Sequence, residues 1–126
     1  MNEILLRCTD IHKNFRVSSE VVEVLKGVTF ELRKGDVSYI LGRSGSGKST
    51  LLHILGGLDK PTRGSVSIED TRLDSLSSRK LAEFRNKRVG FVFQFYHLLP
   101  ELTVWENVIL PGLIARKKLF RKADEL

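Results

Sequence analysis

Short runs that alternate apolar and polar residues dominate the first third of the chain, and this pattern is typical of half-buried β-strands. It predicts strands over Ile4 to Asp10, Val21 to Leu25 and Val28 to Leu32. Ser65 to Ile68 alternates in the same way after a turn cluster that contains Pro61 and predicts one more strand. The N-terminal part of the chain is therefore expected to be rich in β-structure.

Two other runs are β-rich and mostly apolar, and we predict that both are buried strands. Val37 to Leu41 follows a turn at Lys34-Gly35-Asp36. Val89 to Phe93 ends at Gln94. These two segments are the expected centre of the fold.

Helix signals lie between the predicted strands. Ser49 to Leu55 is compatible with a helix that stops at Gly56-Gly57. Ser77-Ser78 has the side chains of an N-cap, and the helix that it opens is expected to run to about Lys87. Strands and helices together indicate an α/β protein.

A third helix is predicted to begin at Thr103. Thr103 and Glu106 have the spacing of a capping box, in which each side chain accepts a hydrogen bond from the backbone N–H of the other residue. Pro111-Gly112 is expected to interrupt or bend that helix, and Leu119 to Leu126 is compatible with another.

Composition places the chain among soluble globular proteins. Its 126 residues are 41% hydrophobic and 29% charged, which suits one domain with its own core. No run approaches the roughly 18 apolar residues of a membrane span, and the start does not resemble a secretory signal. Cys8, the single cysteine, is expected to be a small buried hydrophobe, which fits a reducing cytoplasmic setting.

The net charge of +6 raises the question of a polyanionic partner. The basic residues form two modest clusters without the interleaved aromatic side chains that stack on bases. These clusters are Arg85, Lys87 and Arg88, and then Arg116, Lys117, Lys118, Arg121 and Lys122. Solvated helix faces explain them, and we expect no nucleic-acid partner.

The most informative motif lies between the predicted strand Val37 to Leu41 and the first predicted helix. It satisfies the phosphate-loop pattern G-x-x-x-x-G-K-[ST], and a strand before it and a helix after it are the context that this motif requires. Its residues are Gly42, Arg43, Ser44, Gly45, Ser46, Gly47, Lys48, Ser49 and Thr50. The pattern predicts binding of a nucleoside triphosphate.

Each residue type in this loop has a separate chemical role. The glycines let the backbone turn tightly, so that successive N–H groups point at the phosphates. The following helix adds the partial positive charge of its N-terminus. Lys48 is expected to reach the β- and γ-phosphates, Ser49 to ligate Mg²⁺ and Thr50 to serve the α-phosphate. A plain glycine-rich turn would leave Lys48 unexplained.

The phosphate loop, the downstream segment Phe91 to Gln94 and the run Leu98 to Val108 together resemble the ATP-binding subunits of ABC transporters. The resemblance covers essentially the whole chain. The runs Leu52 to Gly64 and Gln94 to Pro100 are similar to the lipoprotein-releasing subfamily, and the macrolide-exporter and cell-division ATPases share much of that pattern. The resemblance implies a partial P-loop NTPase core, an antiparallel β-subdomain and the start of a helical subdomain.

Two further site residues follow from the resemblance. Phe15 matches the aromatic residue that stacks on adenine; from its spacing alone it is equally a core residue at a strand end. Gln94 matches the Q-loop glutamine, which contacts Mg²⁺ or the attacking water and couples the site to the membrane partner; a glutamine that only caps a strand end is the alternative. The implied cofactors are ATP and Mg²⁺, with Ser49 and Gln94 as metal ligands.

The resemblance also implies partners. A membrane permease is expected to contact Tyr96, His97, Leu98 and Leu99, although simple packing also explains apolar residues in that loop. A second ATP-binding subunit completes the site in a head-to-tail dimer. These partners imply a subunit held peripherally on the cytoplasmic face of the inner membrane.

Two motifs that complete the family's ATP site do not occur in the chain: an apolar strand ending in Asp-Glu, and a Leu-Ser-Gly-Gly signature. Val66 to Asp70 is the nearest imitation of the first, but its acids are in the wrong order. We therefore expect residues 1–126 to be the N-terminal part of a single nucleotide-binding domain, truncated before both motifs. Hydrolysis by this chain alone is not expected.

Two other functions stay open on the residues alone. A non-hydrolytic nucleotide-binding or interaction module needs only the phosphate loop. A P-loop kinase or GTPase is disfavoured, because the chain has no guanine-type Asn-Lys-x-Asp motif and the Gln94 region fits the transporter family better.

Overall fold

The computed structural model of the protein describes residues 3–115. The chain divides between Ser77 and Ser78 into two compact units, and each is described by itself. The predicted helix Leu119 to Leu126 and the second basic cluster lie outside the described residues.

A four-stranded antiparallel sheet forms most of the first unit. Its strand order is β2-β1-β3-β4. The strands are β1 (Ile4–Val17), β2 (Glu20–Arg33), β3 (Arg63–Ile68) and β4 (Thr71–Arg72). A 3₁₀ turn, Leu73–Ser75, follows β4. The predicted strands near Ile4 and Ser65 are confirmed, and both extend further than the alternation indicated.

Gly27 joins two predicted strands into the single strand β2. It has a φ of 89°, a conformation that favours glycine, and it lies where the register with β1 shifts beside Ile11 and His12. The interruption between Leu25 and Val28 is therefore a bulge and not a turn. Cys8, opposite Phe30, is completely buried as expected, and burial raises the pKa of its thiol.

Helix α1 (Lys48–Leu55) follows the glycine-rich loop, and Gly56 and Gly57 lie directly after it, as predicted. Leu51, Ile54 and Leu55 are its buried residues, at the spacing of one helix face. Together with the buried sheet residues Cys8, Ile11, Leu25 and Val66 they form the core of this unit.

The second unit contains helices α2 (Ser78–Arg88) and α3 (Val104–Ile114). The capping box is confirmed: Glu106 donates its backbone N–H to Thr103 Oγ1 at 3.2 Å, and Thr103 donates its own to Glu106 Oε2 at 2.8 Å. Helix α3 continues through Pro111 to Ile114, and the carbonyl of Pro111 accepts a hydrogen bond from Asn86 Nδ2 at 2.9 Å. Neither of these helices, nor α1, combines the length and apolarity that crossing a membrane requires.

Two predicted strands are wrong. Val37–Leu41 and Val89–Phe93 are not strands, and no described residue pairs with them. They are not buried either: Tyr39 and Leu41 are more than four-fifths exposed, and Val92 is fully exposed. An apolar run becomes a buried strand only when neighbouring strands accept its backbone hydrogen bonds, and none is present within residues 3–115.

Candidate functional site

The glycine-rich loop curls around the ammonium group of Lys48. Lys48 Nζ donates to the carbonyls of Gly42 at 2.9 Å and Arg43 at 2.7 Å, and the N–H of Ser46 closes a turn onto Arg43 O at 3.1 Å. Gly45 and Gly47 have φ angles of 78° and 91°, so the path of the loop depends on glycine at both positions. The result is a short concave backbone with one cation at its centre.

The N-terminus of α1 is open to an anion. Its N-cap is Gly47, which supplies no capping side chain, and the first turn contains no acidic residue. Backbone N–H groups at such a terminus, with the partial positive charge of the helix, bind phosphate. Lys48 belongs to the same turn, so the backbone donors and the cation are available to one ligand.

The loop is seated on the sheet through Gly47. A Cβ atom at this position would lie 2.9 Å from Val24 Cγ1 and 3.0 Å from Leu25 Cδ2, so the glycine backbone is in contact with β2. Leu25 is the register partner of Lys13 on β1. This contact fixes the loop beside the part of β1 that contains Lys13 and Phe15.

Phe15 lies on β1 opposite Val22, two residues and about 7 Å along the strand from Lys13. Phe15 is 41% exposed, so it is not a core residue. Lys13 Nζ lies over the ring, 5.1 Å from its centroid, within the range of a cation–π contact. An exposed aromatic face therefore lies on the same sheet as the phosphate-loop contact.

A clamp of polar contacts holds this part of β1 to the turn after α1. Lys13 Nζ contacts Asp59 Oδ2 at 2.7 Å and donates to the carbonyl of Lys60 at 2.8 Å. Asn14 donates its backbone N–H to Thr62 Oγ1 at 3.0 Å. Burial alone would raise the pKa of Asp59, but the hydrogen bonds from Lys13 and from the Lys60 N–H, with the nearby charges, lower it. Asp59 therefore stays ionised beside Lys13.

The remaining predicted residues lie in the second unit, in the loop before α3. Gln94 and Tyr96 are exposed, Tyr96 almost completely. His97 has a φ of 51°, and its ring meets that of Phe93 edge-on, with the centroids 4.7 Å apart. No group of three or more His, Cys, Asp or Glu side chains that could hold a metal ion occurs among residues 3–115.

Leu98 and Leu99 line an apolar groove of about 250 Å³ together with Val104 and Val108 of α3. Asn107 organises this loop. Its Oδ1 accepts from the N–H of Leu99 at 2.9 Å, and its Nδ2 faces the carbonyls of Leu99, Leu102 and Thr103 at 2.9 to 3.2 Å. These hydrogen bonds fix the backbone of the loop from Leu99 to Thr103, which contains no helix or strand.

The sequence of residues 25–126 matches the family model for ABC transporters. The chain belongs to the ABC transporter family. The ATP-binding subunits of this family bind ATP, generally with Mg²⁺, and they dimerise and associate with membrane permeases.

A curated relative from the same ABC family is the lipoprotein-releasing system ATP-binding protein LolD of Buchnera aphidicola subsp. Schizaphis graminum. It is 48% identical over 118 residues, which are 94% of this chain and 52% of the relative. The chain therefore spans about half the length of this relative.

Two solved structures of the ABC cassette MJ0796 also match. One is a dimeric post-hydrolysis state bound to ADP and Pi, and the other is a dimeric bacterial ABC transporter cassette. In both comparisons the TM-score is 0.84 at 39% identity, over 88% of this chain and 48% of the solved chain. The expected P-loop NTPase fold class is therefore confirmed.

In this ABC chain the predicted site residues are divided between the two units. The phosphate loop and Phe15 share the first unit, where β2 connects them. Gln94 belongs to the second unit, so its pairing with Ser49 around Mg²⁺ stays a prediction.

Sequence reasoning missed three residues around the predicted site residues, two in the first unit and one in the second. Lys13 and Asp59 form the clamp beside Phe15, and Asn107 braces the apolar loop. The signal for Lys13 was present, because residues two apart on a strand lie on the same face. No local pattern indicates its partner Asp59.

Proposed function

We propose that this chain is the N-terminal part, residues 1–126, of the nucleotide-binding domain of an ABC transporter ATPase of the lipoprotein-releasing type. The observation that carries the proposal is the loop around Lys48, which leads into an α1 N-terminus that has neither a capping side chain nor an acidic side chain in its first turn. ATP bound there, and hydrolysed by the complete subunit, drives a membrane partner. The similarity to LolD supports the transport class.

The triphosphate of ATP is proposed to lie on Gly42, Arg43, Ser44, Gly45, Ser46, Gly47, Lys48, Ser49 and Thr50. Lys48 then exchanges its two loop carbonyls for β- and γ-phosphate oxygens. The ammonium is already held where the phosphates bind, so little reorganisation opposes binding. Adenine stacks on the exposed face of Phe15.

Mg²⁺ is proposed to be held by Ser49, Gln94 and phosphate oxygens. Hydroxyl and amide oxygens are ligands that this hard cation accepts, and it binds to nucleotide sites through few protein groups and several waters. The metal would neutralise charge on the triphosphate. In the complete subunit Gln94 is also proposed to contact the attacking water.

The permease partner is proposed to dock at the loop that contains Tyr96, His97, Leu98 and Leu99. Support comes from the exposed Tyr96 and from the apolar groove behind Leu98 and Leu99. A second ATP-binding subunit is proposed to complete the site head to tail. The subunit would then lie on the cytoplasmic face of the inner membrane.

Calorimetric titration of the 126-residue chain with Mg·ATP tests the nucleotide site. Lys48→Ala removes charge-assisted hydrogen bonds worth about 1.5–3 kcal/mol, so we expect Kd to rise about 10- to 150-fold. Lys34→Ala is the matched control, because Lys34 is an exposed lysine in a turn. Equal affinities of the Lys48 variant and the unsubstituted chain would refute the phosphate-loop assignment.

A further inference from the structure

We infer that Lys13 is a positioning residue for adenine recognition, acting through the ring of Phe15. This inference rests on the proposed ATP site and adds a residue to which neither the sequence motifs nor the comparisons assign a role. The observations are the cation over one face of Phe15 and the clamp that fixes that cation.

The ammonium group of Lys13 is held from three sides. Asp59 Oδ2 lies at 2.7 Å, the carbonyl of Lys60 at 2.8 Å and the centroid of the Phe15 ring at 5.1 Å. The side chain of Lys13 is only 13% exposed, whereas Phe15 is 41% exposed. The cation therefore cannot leave the ring without losing both charge-assisted contacts.

A cation fixed on one face of an aromatic ring has two consequences. It holds the ring in one orientation, since rotation of the side chain would break the attraction between the charge and the π-electrons. It also occupies that face, so a nucleobase stacks on the opposite one. Both effects reduce the number of arrangements that adenine samples before it binds.

The clamp also ties the adenine face to the phosphate loop. Asp59 and Lys60 lie in the turn that follows α1, and α1 begins at Lys48 in the loop. Directly before α1, Gly47 of the loop lies against Val24 and Leu25 of β2, and Leu25 pairs with Lys13. Lys13 thus sets the separation between the ring and the phosphate loop.

A comparison of two ligands separates this role from a merely structural one. Mg·ATP contacts both the phosphate loop and the ring of Phe15, whereas Mg·tripolyphosphate contacts the phosphate loop alone. Calorimetry on the 126-residue chain is expected to show that Lys13→Met raises Kd for Mg·ATP about three- to tenfold. The affinity for Mg·tripolyphosphate stays unchanged.

Four further variants complete the experiment. Lys13→Arg keeps the cation and is expected to retain the affinity for Mg·ATP within about twofold. Lys13→Gln keeps a donor for the carbonyl of Lys60 but no charge, and is expected to show the same selective loss of affinity for Mg·ATP. It replaces Lys13→Met if circular dichroism shows that Lys13→Met does not fold. Lys34→Met is the matched control, and Phe15→Ala is the reference for loss of the ring.

The outcomes distinguish the inference from the proposed function. An equal loss for both ligands would mean that Lys13 only supports the fold. No loss with Lys13→Met, beside a selective loss with Phe15→Ala, would overturn the inference and leave the adenine site standing. No selective loss in either variant would overturn both the role of Lys13 and adenine stacking on Phe15.

Discussion

The contact between the phosphate loop and the sheet predicts different responses from two neighbouring glycines. Gly45 and Gly47 both have positive φ angles, 78° and 91°. A Cβ at Gly45 would meet nothing within 4 Å, whereas one at Gly47 would lie 2.9 Å from Val24 Cγ1 and 3.0 Å from Leu25 Cδ2. Gly45→Ala and Gly47→Ala therefore share the conformational cost and differ in the steric one.

The magnitudes follow from these distances. An alanine forced to a left-handed conformation costs about 1–2 kcal/mol, and both variants incur this cost. Overpacking against a filled neighbour adds about 1–3 kcal/mol at Gly47 alone. Val24 relieves little of the overlap, because its χ1 is stiff and its carbonyl oxygen lies 3.3 Å from the added Cβ. We expect losses of about 1–2 kcal/mol for Gly45→Ala and about 2–5 kcal/mol for Gly47→Ala.

Urea unfolding followed by far-ultraviolet circular dichroism measures both losses, with linear extrapolation to water. Each variant removes one glycine from the unfolded chain, so the gain from reduced unfolded-state entropy cancels in the comparison. If the losses of Gly47→Ala and Gly45→Ala differ by less than about 0.5 kcal/mol, the scale of ordinary surface substitutions, the contact between the loop and β2 is refuted.

Two further predictions concern the second unit and turnover. Hydrogen bonds from the backbone N–H and then the hydroxyl of Thr103 hold the pKa of Glu106 below its usual value of 4.5, so their stabilisation of α3 is present above pH 4.5 and is lost as the pH falls through the lowered pKa. Urea titrations followed by Trp105 fluorescence from pH 6 to pH 3 are expected to show that the free energy of unfolding falls less with acid in Glu106→Gln than in the unsubstituted chain. The same fall in both chains would contradict this prediction. For turnover, we expect the 126-residue chain to release no phosphate from saturating Mg·ATP above a Lys48→Ala control, because phosphoryl transfer needs a water-orienting carboxylate as well as the phosphate loop. Sustained release that Lys48→Ala abolishes would indicate a different P-loop enzyme.

Several elements of this protein could be predicted from sequence because their determinants lie within a few residues of one another. The capping box joins Thr103 to Glu106 three positions later, and α1 ends where two glycines follow Leu55. The glycine spacing of the loop likewise matches the positive φ angles at Gly45 and Gly47. In each case short-range hydrogen bonds and backbone preferences decide the local structure.

Other features depended on partners distant in sequence. The apolar pattern of Val37–Leu41 and Val89–Phe93 predicted buried strands, but pairing requires neighbouring strands, and none lies beside them within the described part of the chain. The bulge at Gly27 similarly depends on the register with β1. Side-chain alternation alone does not specify which strand is the partner.

The sequence by itself determined the glycine-rich loop that leads into α1, whereas the match of Phe15 to an adenine-stacking residue stays a prediction. Only the tertiary structure brought Lys13 to the carbonyl of Lys60, 47 positions along the chain, and placed Gly47 against β2. Such contacts form when the sheet and α1 close a long loop of chain. Their geometry therefore follows from the packing of the first unit and not from any local pattern.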